Sequence, residues 1–589
     1  MKSWDEIPGP SQLPIISTLH HFLPLGSLHN LSGYNLMDKL YKTYGPIVKI
    51  PGMFGAQTYV MLFDAESFAN VLRNENFMPK RPGFVSLEHY RKVYKKKKGE
   101  IIPEITGLGS DHGEAWKTLR SVVNPILMQP KTIKLYAATI DEIACEMVEN
   151  QPRCLSASWW TSHISLNFFA DMCKLHHDDF LQRKIVLRNE NFMPKRPGFV
   201  SLEHYRKVYK KEKGEIIPEI TGLGSDHGEA WKTLRSVVNP ILMQPKTIKL
   251  YAATIDEISC EMVERMRVSR DDNGMLKSDL GEEMKLWSME SIAVIALGGR
   301  LNCLDPNLPE DSPVKKLIHY AHEAFALVDK LDFRPNLWRL YPTKLYKKTM
   351  KVLQELEDLN KYFIQEAIKR LNTETKSDNE KGVLEKLLEI DEHIAHLMAS
   401  DLLFAGADTT SHSVLLILYL LAKNPEKQMK LREEILSGSD KRPYFKACIK
   451  EAMRIMPVAS GNMRETSKEY NILGYHIPQQ KSLLFAHEYT SMMECHYPRP
   501  NEYIPERWLA DKEDPLYYGN AHPFAYNPFG FGTRSCIGRR IAELEIETLV
   551  TRVVQNFDMQ WFGEPMKLYH STLNYVQAPF NFIFKDVRI

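Results

Sequence analysis

Residues Phe529-Gly530-Phe531-Gly532-Thr533-Arg534-Ser535-Cys536-Ile537-Gly538 place one thiol on a glycine-rich turn, directly before an apolar pattern with helical spacing. A thiolate at the start of a helix is stabilised, because backbone N–H groups and the helix dipole favour negative charge there. The glycines at 530, 532 and 538 are expected to adopt positive φ and to let the backbone approach a large flat ligand. Arg534 is expected to pair with a carboxylate of that ligand.

The pattern F-x-x-G-x-R-x-C-x-G is matched at every fixed position by residues 529–538. It resembles the haem-binding signature of the cytochrome P450 superfamily. The resemblance implies haem b as cofactor and Cys536 as its axial thiolate, a ligand that favours O–O cleavage. A buried structural cysteine is the alternative, and we disfavour it because two further motifs agree. The implied cofactor contacts in and near this loop are Phe529, Gly530, Gly532, Arg534, Gly538 and, earlier in the chain, Arg464.

A second motif, Ala405-Gly406-Ala407-Asp408-Thr409-Thr410, lies inside an apolar segment from about His393 to Asn424. A glycine costs a buried helix roughly 1 kcal/mol, so it indicates that something needs the space beside it. The threonine hydroxyl can bond a backbone carbonyl one turn earlier or a small ligand in the groove. The resemblance implies that Ala405 and Gly406 border bound dioxygen, and that Asp408 and Thr409 are catalytic residues that relay protons.

A third motif is Glu451-x-x-Arg454, on a helix predicted to end before Pro457. Glutamate and arginine at i and i+3 share a helix face and can pair. The resemblance implies that the pair is buried and joined by Arg507 of Pro505-Glu506-Arg507-Trp508. We interpret all three as structural, because removing one member strands a buried charge.

The composition argues against several function classes. The chain has 589 residues, with 76 basic and 74 acidic side chains and a net charge of +2, which gives no support for nucleic-acid binding. The lysine-rich runs at 95–98 and 210–213 are interpreted as solvated loops. The eight cysteines contain no C-x-x-C pair and no zinc spacing, so a reducing compartment is expected.

The sequence predicts no transmembrane helix, since its longest apolar run, 414–422, falls short of the roughly 18 residues that a span needs. Residues 317–346 mix aromatic and basic side chains, and we expect them to form an access channel with peripheral membrane contact. Met1 is followed almost at once by the proline-containing stretch 7–10. Endoplasmic-reticulum relatives carry an apolar anchor before such a stretch and mitochondrial ones a cleavable peptide, so a targeting segment is expected to be missing.

Residues 71–149 recur almost letter for letter as residues 186–264, at an offset of 115. One near-identical pair is not a repeat architecture, which needs several diverged units in series. Residues 150–185 show no clear periodicity, and we interpret them as an extraneous spacer. Removing one period leaves 474 residues, a size typical of a single domain of the family. The two copies differ at two positions: Lys97 against Glu212, and Ala144 against Ser259.

The resemblance also implies a W-x-x-x-R helix on the haem edge, and the duplication supplies it twice. The candidates are Trp116 with Arg120 and Trp231 with Arg235. One haem edge accommodates one copy. We favour Trp231 and Arg235 because that copy runs without interruption into the rest of the domain, but the choice stays open.

Cations cluster around the cysteine loop and the third motif. Lys446 and Lys450 share a helix face, and Arg539-Arg540 follow the cysteine loop. A basic face suits an acidic electron donor, and the pattern resembles the mitochondrial branch of the superfamily, which receives electrons from a [2Fe–2S] ferredoxin. Residues 331–339 resemble insect members of that branch. The alternative is that these cations only cap helices and solvate the surface.

The sequence therefore predicts a mainly α fold with small β-sheets near the N-terminus and around 471–485, in one large domain spanning residues 1–589. The implied function is a haem-thiolate monooxygenase that inserts one oxygen atom from O2 into a sterol-like or xenobiotic lipophilic molecule. The expected location is the matrix side of the mitochondrial inner membrane, with the endoplasmic reticulum as alternative. The rival functions are a haem-thiolate isomerase or dehydratase, and a misfolded, non-catalytic product of the duplication.

Overall fold

The protein is described here from a computed structural model. The described residues are 1–13, 17–52, 58–74, 228–242, 247–248, 250–333, 337–338, 341–373, 380–439, 441–570 and 573–587. Of the duplicated segments, they include 71–74 from the first copy and most of 228–264 from the second. The spacer 150–185 and the candidates Trp116 and Arg120 lie outside them, as does the side chain of Trp231.

Helices dominate the described part of the chain. They are α1 (Gly33–Tyr44), α2 (Ala65–Asn74), α3 (Gly228–Leu242), α4 (Ala252–Ser269), α5 (Leu280–Leu297), α6 (Pro313–Phe333), α7 (Lys344–Leu371), α8 (Val383–Leu388), α9 (Glu392–Lys423), α10 (Pro425–Leu436), α11 (Pro443–Ile455), α12 (His487–Thr490) and α13 (Arg539–Asn556). The mainly α prediction is confirmed.

Helix α9 is the central element of the core. It begins after Asp391, whose carboxylate accepts the backbone N–H of Ile394 at 2.8 Å, and it gives way to α10 at Pro425. Helices α5, α7, α11 and α13 pack around it. Among the described residues, α9 is the helix long and apolar enough to cross a membrane, yet 83% of its most apolar window is buried inside the protein. Its apolar character therefore suits a core helix.

A four-stranded sheet lies near the N-terminus, as the sequence predicts. Its order is β1-β2-β6-β3, with β2 parallel to β6 and the other pairs antiparallel. The sheet joins residues from distant parts of the chain, since Tyr59 of β2 faces Ser482 of β6. The strands are β1 (Ile47–Ile50), β2 (Tyr59–Leu62), β3 (Asn462–Glu465) and β6 (Ser482–Phe485).

Three antiparallel strand pairs complete the described sheets. The pair β4 (Tyr470–Ile472) and β5 (Tyr475–Ile477) lies in the predicted region. The C-terminal strands were not predicted; they are β7 (Phe557–Trp561), β8 (Lys567–His570), β9 (Asn574–Gln577) and β10 (Phe582–Asp586), paired as β7 with β10 and β8 with β9. Strand β9 packs against α9 and so brings the C-terminal part of the chain to the second motif.

Candidate functional site

The loop that carries Cys536 is closed by its own backbone. The Cys536 N–H donates to the carbonyl oxygen of Phe529 at 2.8 Å, and the Ser535 N–H donates to that of Gly532 at 3.1 Å. Residues Gly532–Arg534 form one 3-10 turn inside the loop. Cys536 is exposed, so the loop holds a thiol at a fixed place with one side open to a ligand.

The glycines of this loop only partly follow the sequence expectation. Gly530 and Gly532 have φ of +71° and +69°, as predicted. The prediction for Gly538 is wrong: its φ is −82°, and it is the N-cap residue of α13. A Cβ added at Gly538 would meet no heavy atom of the described chain within 4 Å, so its role is to keep a surface open. Cys536 consequently lies two residues before the N-cap instead of on it.

Three buried guanidinium groups surround the cysteine loop. Arg464 of β3 donates to the carbonyl oxygen of Phe531 at 3.2 Å, and Arg235 of α3 donates to that of Ser535 at 3.4 Å. Arg534 is 4% exposed. A guanidinium has five N–H donors and matches carboxylate geometry, so these side chains suit a ligand with carboxylates held over the loop.

The second motif forms an interruption in the buried surface of α9. Ala405 is exposed and Thr409 is half-buried, whereas their neighbours along the helix are mostly buried. The Thr409 hydroxyl donates to the carbonyl oxygen of Ala405 at 2.9 Å, one of the two options that the sequence left open. Because α9 packs against α13, which follows the cysteine loop, the fold draws the second motif and the cysteine loop toward one region.

Gly406 packs closely against α5. A Cβ at this position would lie 2.7 Å from Cγ1 of Ile292 on α5. The Ser288 hydroxyl of α5 donates to the Gly406 carbonyl oxygen at 3.4 Å. The glycine therefore allows α5 and α9 to pack closely, and Ala405 next to it is exposed.

Asp408 is buried and bonded to a histidine that sequence reasoning missed. The ring nitrogen Nδ1 of His322, on α6, lies 3.1 and 3.2 Å from the two carboxylate oxygens of Asp408. Burial alone would raise the pKa of Asp408, but the hydrogen bond and charge of His322, aided by His412 and Lys285, lower it. Asp408 is thus held in its ionised form beside Thr409. Nothing in the spacing of residues 322 and 408 signals this contact.

The third motif forms the predicted buried triad. Glu451, Arg454 and Arg507 are all fully buried. Arg507 donates to Oε1 of Glu451 at 2.9 Å, and the Trp508 indole N–H donates to Oε2 at 2.9 Å. Arg454 also donates to the carbonyl oxygens of Ser491 and Pro500, at 3.0 and 2.8 Å. The buried triad is confirmed, and Trp508 is an additional partner of Glu451.

The cations of the predicted docking face divide into two kinds. Lys446 and Lys450 are exposed on α11, and in the described part of the chain neither has a carboxylate within 4 Å. Arg539 and Arg540 both contact Glu543, at 2.7 and 3.6 Å. The i,i+4 and i,i+3 spacing in the sequence is the signal that could have revealed this partial neutralisation.

A buried carboxyl group lies between α13 and α9. Glu545 of α13 is 1% exposed, and burial raises its pKa to about 8, since neither carboxyl oxygen has a hydrogen-bond partner among the described residues. Glu545 is therefore protonated at neutral pH. The sequence around Glu545 shows apolar residues at helical spacing, and this pattern does not reveal that one glutamate is buried among them.

Comparison with known proteins identifies one family that matches most of this chain. The family described as "Cytochrome P450" matches residues 7–178 and 202–584. Cytochrome P450 CYP12A2 of Musca domestica is 39% identical over 431 residues, covering 68% of this chain and 79% of the relative. Probable cytochrome P450 12a5, mitochondrial, of Drosophila melanogaster is 35% identical, covering 69% and 79%. Cytochrome P450 12b1, mitochondrial, of Drosophila acanthoptera is 36% identical, covering 66% and 76%.

Proposed function

The chain belongs to the cytochrome P450 family and is a haem monooxygenase, and on that premise we propose that Cys536 is its axial thiolate ligand. The observation that carries this assignment is the loop geometry: the thiol of Cys536 is exposed on a loop closed by a 2.8 Å backbone bond to Phe529. The other cysteines in the described residues are buried in the core, except Cys495.

The residues around the loop fit a haem. The surface beside Gly538 is open, and Ala405 is exposed on α9. Arg235, Arg464 and Arg534 are positioned to donate to the haem carboxylates. When bound, the haem supplies dioxygen activation and insertion of one oxygen atom into a substrate C–H bond. We also propose that four further residues lie around the bound cofactor: Phe529, Gly530, Gly532 and Gly406.

The chain's own catalytic contribution is proton delivery. Asp408 holds or accepts a proton in a buried, hydrogen-bonded position, and Thr409 presents a hydroxyl at the half-buried edge of α9. We assign Asp408 as the proton source and Thr409 as the group that orients the proton at the oxygen site. General acid–base help of this kind is typically worth roughly 10²–10⁴-fold.

The electron donor in this proposal is a [2Fe–2S] ferredoxin. Its docking face consists of Lys446 and Lys450, with Arg539 and Arg540 at the edge. The name of the relative Probable cytochrome P450 12a5, mitochondrial, supports a ferredoxin donor, because ferredoxin is the electron donor of the mitochondrial branch. Partial burial and the charges of Arg539 and Lys446 lower the pKa of Lys450, which supports a docking face formed by neighbouring cations.

The mitochondrial names of the relatives also support a location in mitochondria, which we specify as the matrix side of the inner membrane. Peripheral membrane contact near residues 317–346 belongs to the same proposal. The substrate in this proposal is a lipophilic small molecule, which membership of the family supports. Within the duplication, we assign the haem-edge role to the second copy, because Arg235 is buried against the cysteine loop.

The experiment that tests this function is a carbon monoxide difference spectrum of the reduced protein, followed by turnover with ferredoxin and its reductase. Cys536→Ala is expected to abolish the red-shifted band of a thiolate-ligated haem, whereas Cys495→Ala, at an exposed cysteine, retains it. Turnover that needs the ferredoxin system supports a monooxygenase supplied by this donor. A retained band in Cys536→Ala contradicts the ligand assignment, and product formation without external electrons supports an isomerase or dehydratase.

A further inference from the structure

A continuous line of polar side chains connects the protein surface to Asp408. The Lys285 ammonium lies 3.1 Å from Nε2 of His322, and Nδ1 of the same ring lies 3.1 Å from Oδ2 of Asp408. At the outer end, Lys285 donates to the carboxylate of Glu282 at 2.7 Å. Three helices supply the line: α5 carries Glu282 and Lys285, α6 carries His322, and α9 carries Asp408.

Solvent reaches this line at Glu282 and at His322, whereas Asp408 is buried. The side chain of Glu282 is 68% exposed and that of His322 is 39% exposed, whereas that of Asp408 is 7% exposed. Lys285, between them, is 12% exposed. His322 is therefore the residue that contacts both solvent and the buried carboxylate.

The partners of His322 select its tautomer. An ammonium group has donors and no acceptor, and a carboxylate has acceptors and no donor. In a neutral His322 ring, Nε2 therefore accepts from Lys285, and Nδ1 carries the hydrogen that it donates to Asp408. An imidazole in this state can take a proton at one nitrogen and release one at the other.

The other groups that face Asp408 do not offer an equivalent route. His412 lies one turn along α9, but burial lowers its pKa to about 4, and neither ring nitrogen has a hydrogen-bond partner among the described residues. Tyr575 of β9 packs edge-on against His412 at 5.0 Å, and burial raises its pKa well above the ordinary value. Asp329 of α6, near Tyr575, is buried.

We propose that His322 conducts protons from the surface to Asp408, with Lys285 as the outer donor. The proton on Lys285 Nζ passes to Nε2 of His322 as the Nδ1 hydrogen passes to Oδ2 of Asp408. Lys285 then regains a proton from a buffer acid or water at the exposed side of Glu282, so one proton has moved inward and no electron is transferred. This inference rests on the proposed role of Asp408 in proton delivery.

Asparagine can replace His322 if the histidine only holds Asp408 in place, but it cannot replace a histidine that conducts protons. His322→Asn retains a side-chain N–H close to the position of Nδ1, so it can still hold Asp408 in place. It cannot pass a proton from one end to the other. Lys285→Gln keeps a donor toward His322 without a transferable charge. His319→Asn is the matched control, because His319 lies one turn earlier on α6, is 68% exposed and pairs with Glu323.

The test uses the haem-loaded full chain and measures three quantities for each variant: the thiolate spectrum, the melting temperature, and the fraction of supplied electrons recovered in product between pH 6 and 9. His322→Asn is expected to keep the spectrum and the melting temperature. Its product fraction is expected to fall toward the lower end of the roughly 10²–10⁴-fold range of acid–base help, and to fall further as pH rises and solvent protons become scarce.

A separate measurement checks the contact without turnover. Melting temperatures of His322→Ala, Asp408→Asn and the double variant are expected to be non-additive, since the two side chains share one hydrogen-bonded pair. Additive losses overturn the contact and with it the inference.

The activity measurements distinguish failure of the relay from failure of the proposed role of Asp408. If Asp408→Asn is impaired while His322→Asn and Lys285→Gln match His319→Asn, the relay is wrong and the role of Asp408 stands. If Asp408→Asn itself delivers product normally, the proposed role of Asp408 fails and this inference fails with it. Impairment of His322→Asn, with His319→Asn unaffected, supports conduction.

Discussion

Arg454 lies against Glu451 in a side-by-side pair, with Nε 2.9 Å from Oε2 and Nη2 2.8 Å from Oε1, and neither side chain is exposed. A bidentate arginine–carboxylate pair away from water holds both side chains in one relative orientation. Because Arg507 and Trp508 share the same carboxylate, Glu451 joins α11 to the segment that precedes the cysteine loop.

Removal of the shared carboxylate should therefore destabilise the protein severely. Glu451→Gln leaves two buried guanidinium groups without their counter-charge, and breaking such a pair typically costs about 3–5 kcal/mol. We expect a large fall in melting temperature and poor haem loading, measured by calorimetry and absorbance. Glu502→Gln is the control, because Glu502 pairs with Arg499 at an exposed position. Equal stability of the two variants would contradict a structural role for the triad.

The hydroxyl of Thr409 is the group expected to control how electrons are used. Thr409→Ala should retain the thiolate spectrum and substrate binding, because the side chain is half-buried and its described bond is local. We expect less product per electron and more hydrogen peroxide, measured by parallel assay of product and peroxide. Thr409→Ser keeps a hydroxyl that can donate to Ala405 and should restore the product fraction. Unchanged coupling in Thr409→Ala would exclude this role.

Lys446 and Lys450 of α11, which have no carboxylate within 4 Å in the described part of the chain, should dominate attraction to the electron donor. Lys446→Gln with Lys450→Gln is expected to weaken ferredoxin binding, whereas Arg539 and Arg540 contribute less because Glu543 partly neutralises them. Added salt should weaken binding to the unmodified protein, since surface attraction is screened over about 10 Å at 0.1 M. Lys369→Gln, at an exposed position on α7, is the control. Donor affinity that does not depend on salt would rule out the electrostatic face.

Sequence patterns predicted what depends on local spacing. The helical period gave α9 to within one residue at each end, and the signature stretch located the cysteine loop. The buried triad followed from the motif and its resemblance. What the sequence did not predict depends on packing between distant segments: Ile292 occupying the space beside Gly406, and His322 reaching Asp408. A local pattern contains no information on which side chain of another helix arrives at such a position.

Burial of Glu545 predicts a specific pH dependence of stability. Its folded-state pKa is about 8, above the ordinary value of 4.5, so the folded protein holds a proton that the unfolded chain releases. Its contribution to stability is therefore lost progressively between about pH 4.5 and 8, at up to about 1.4 kcal/mol per pH unit. Glu545→Gln cannot ionise and should gain melting temperature relative to the unmodified protein as pH rises through this range. A constant difference from pH 5 to 8 would contradict a buried, protonated Glu545.

The duplicated segment leads to a prediction that depends on one hydroxyl. The Ser259 hydroxyl donates to the carbonyl oxygen of Ile255 at 2.8 Å and accepts the indole N–H of Trp287 at 3.2 Å, where Trp287 is fully buried. The first copy has Ala144 at the equivalent position. Deletion of residues 72–186 keeps Ser259, whereas deletion of 150–264 replaces it with Ala144.

Both deletions remove one period and are expected to raise the soluble, haem-loaded yield, because we expect the domain to accommodate one copy of the apolar segment and the other copy to expose its apolar face. Deletion of 150–264 should nevertheless be the less stable by about 1–3 kcal/mol, because it leaves the buried N–H of Trp287 without its acceptor. Melting temperatures compare the two, and Ala144→Ser in the 150–264 deletion should restore the loss. If both deletions destroy activity while the full chain is soluble and active, the extra segment is a functional insertion. Equal melting temperatures would show that Trp287 does not need Ser259.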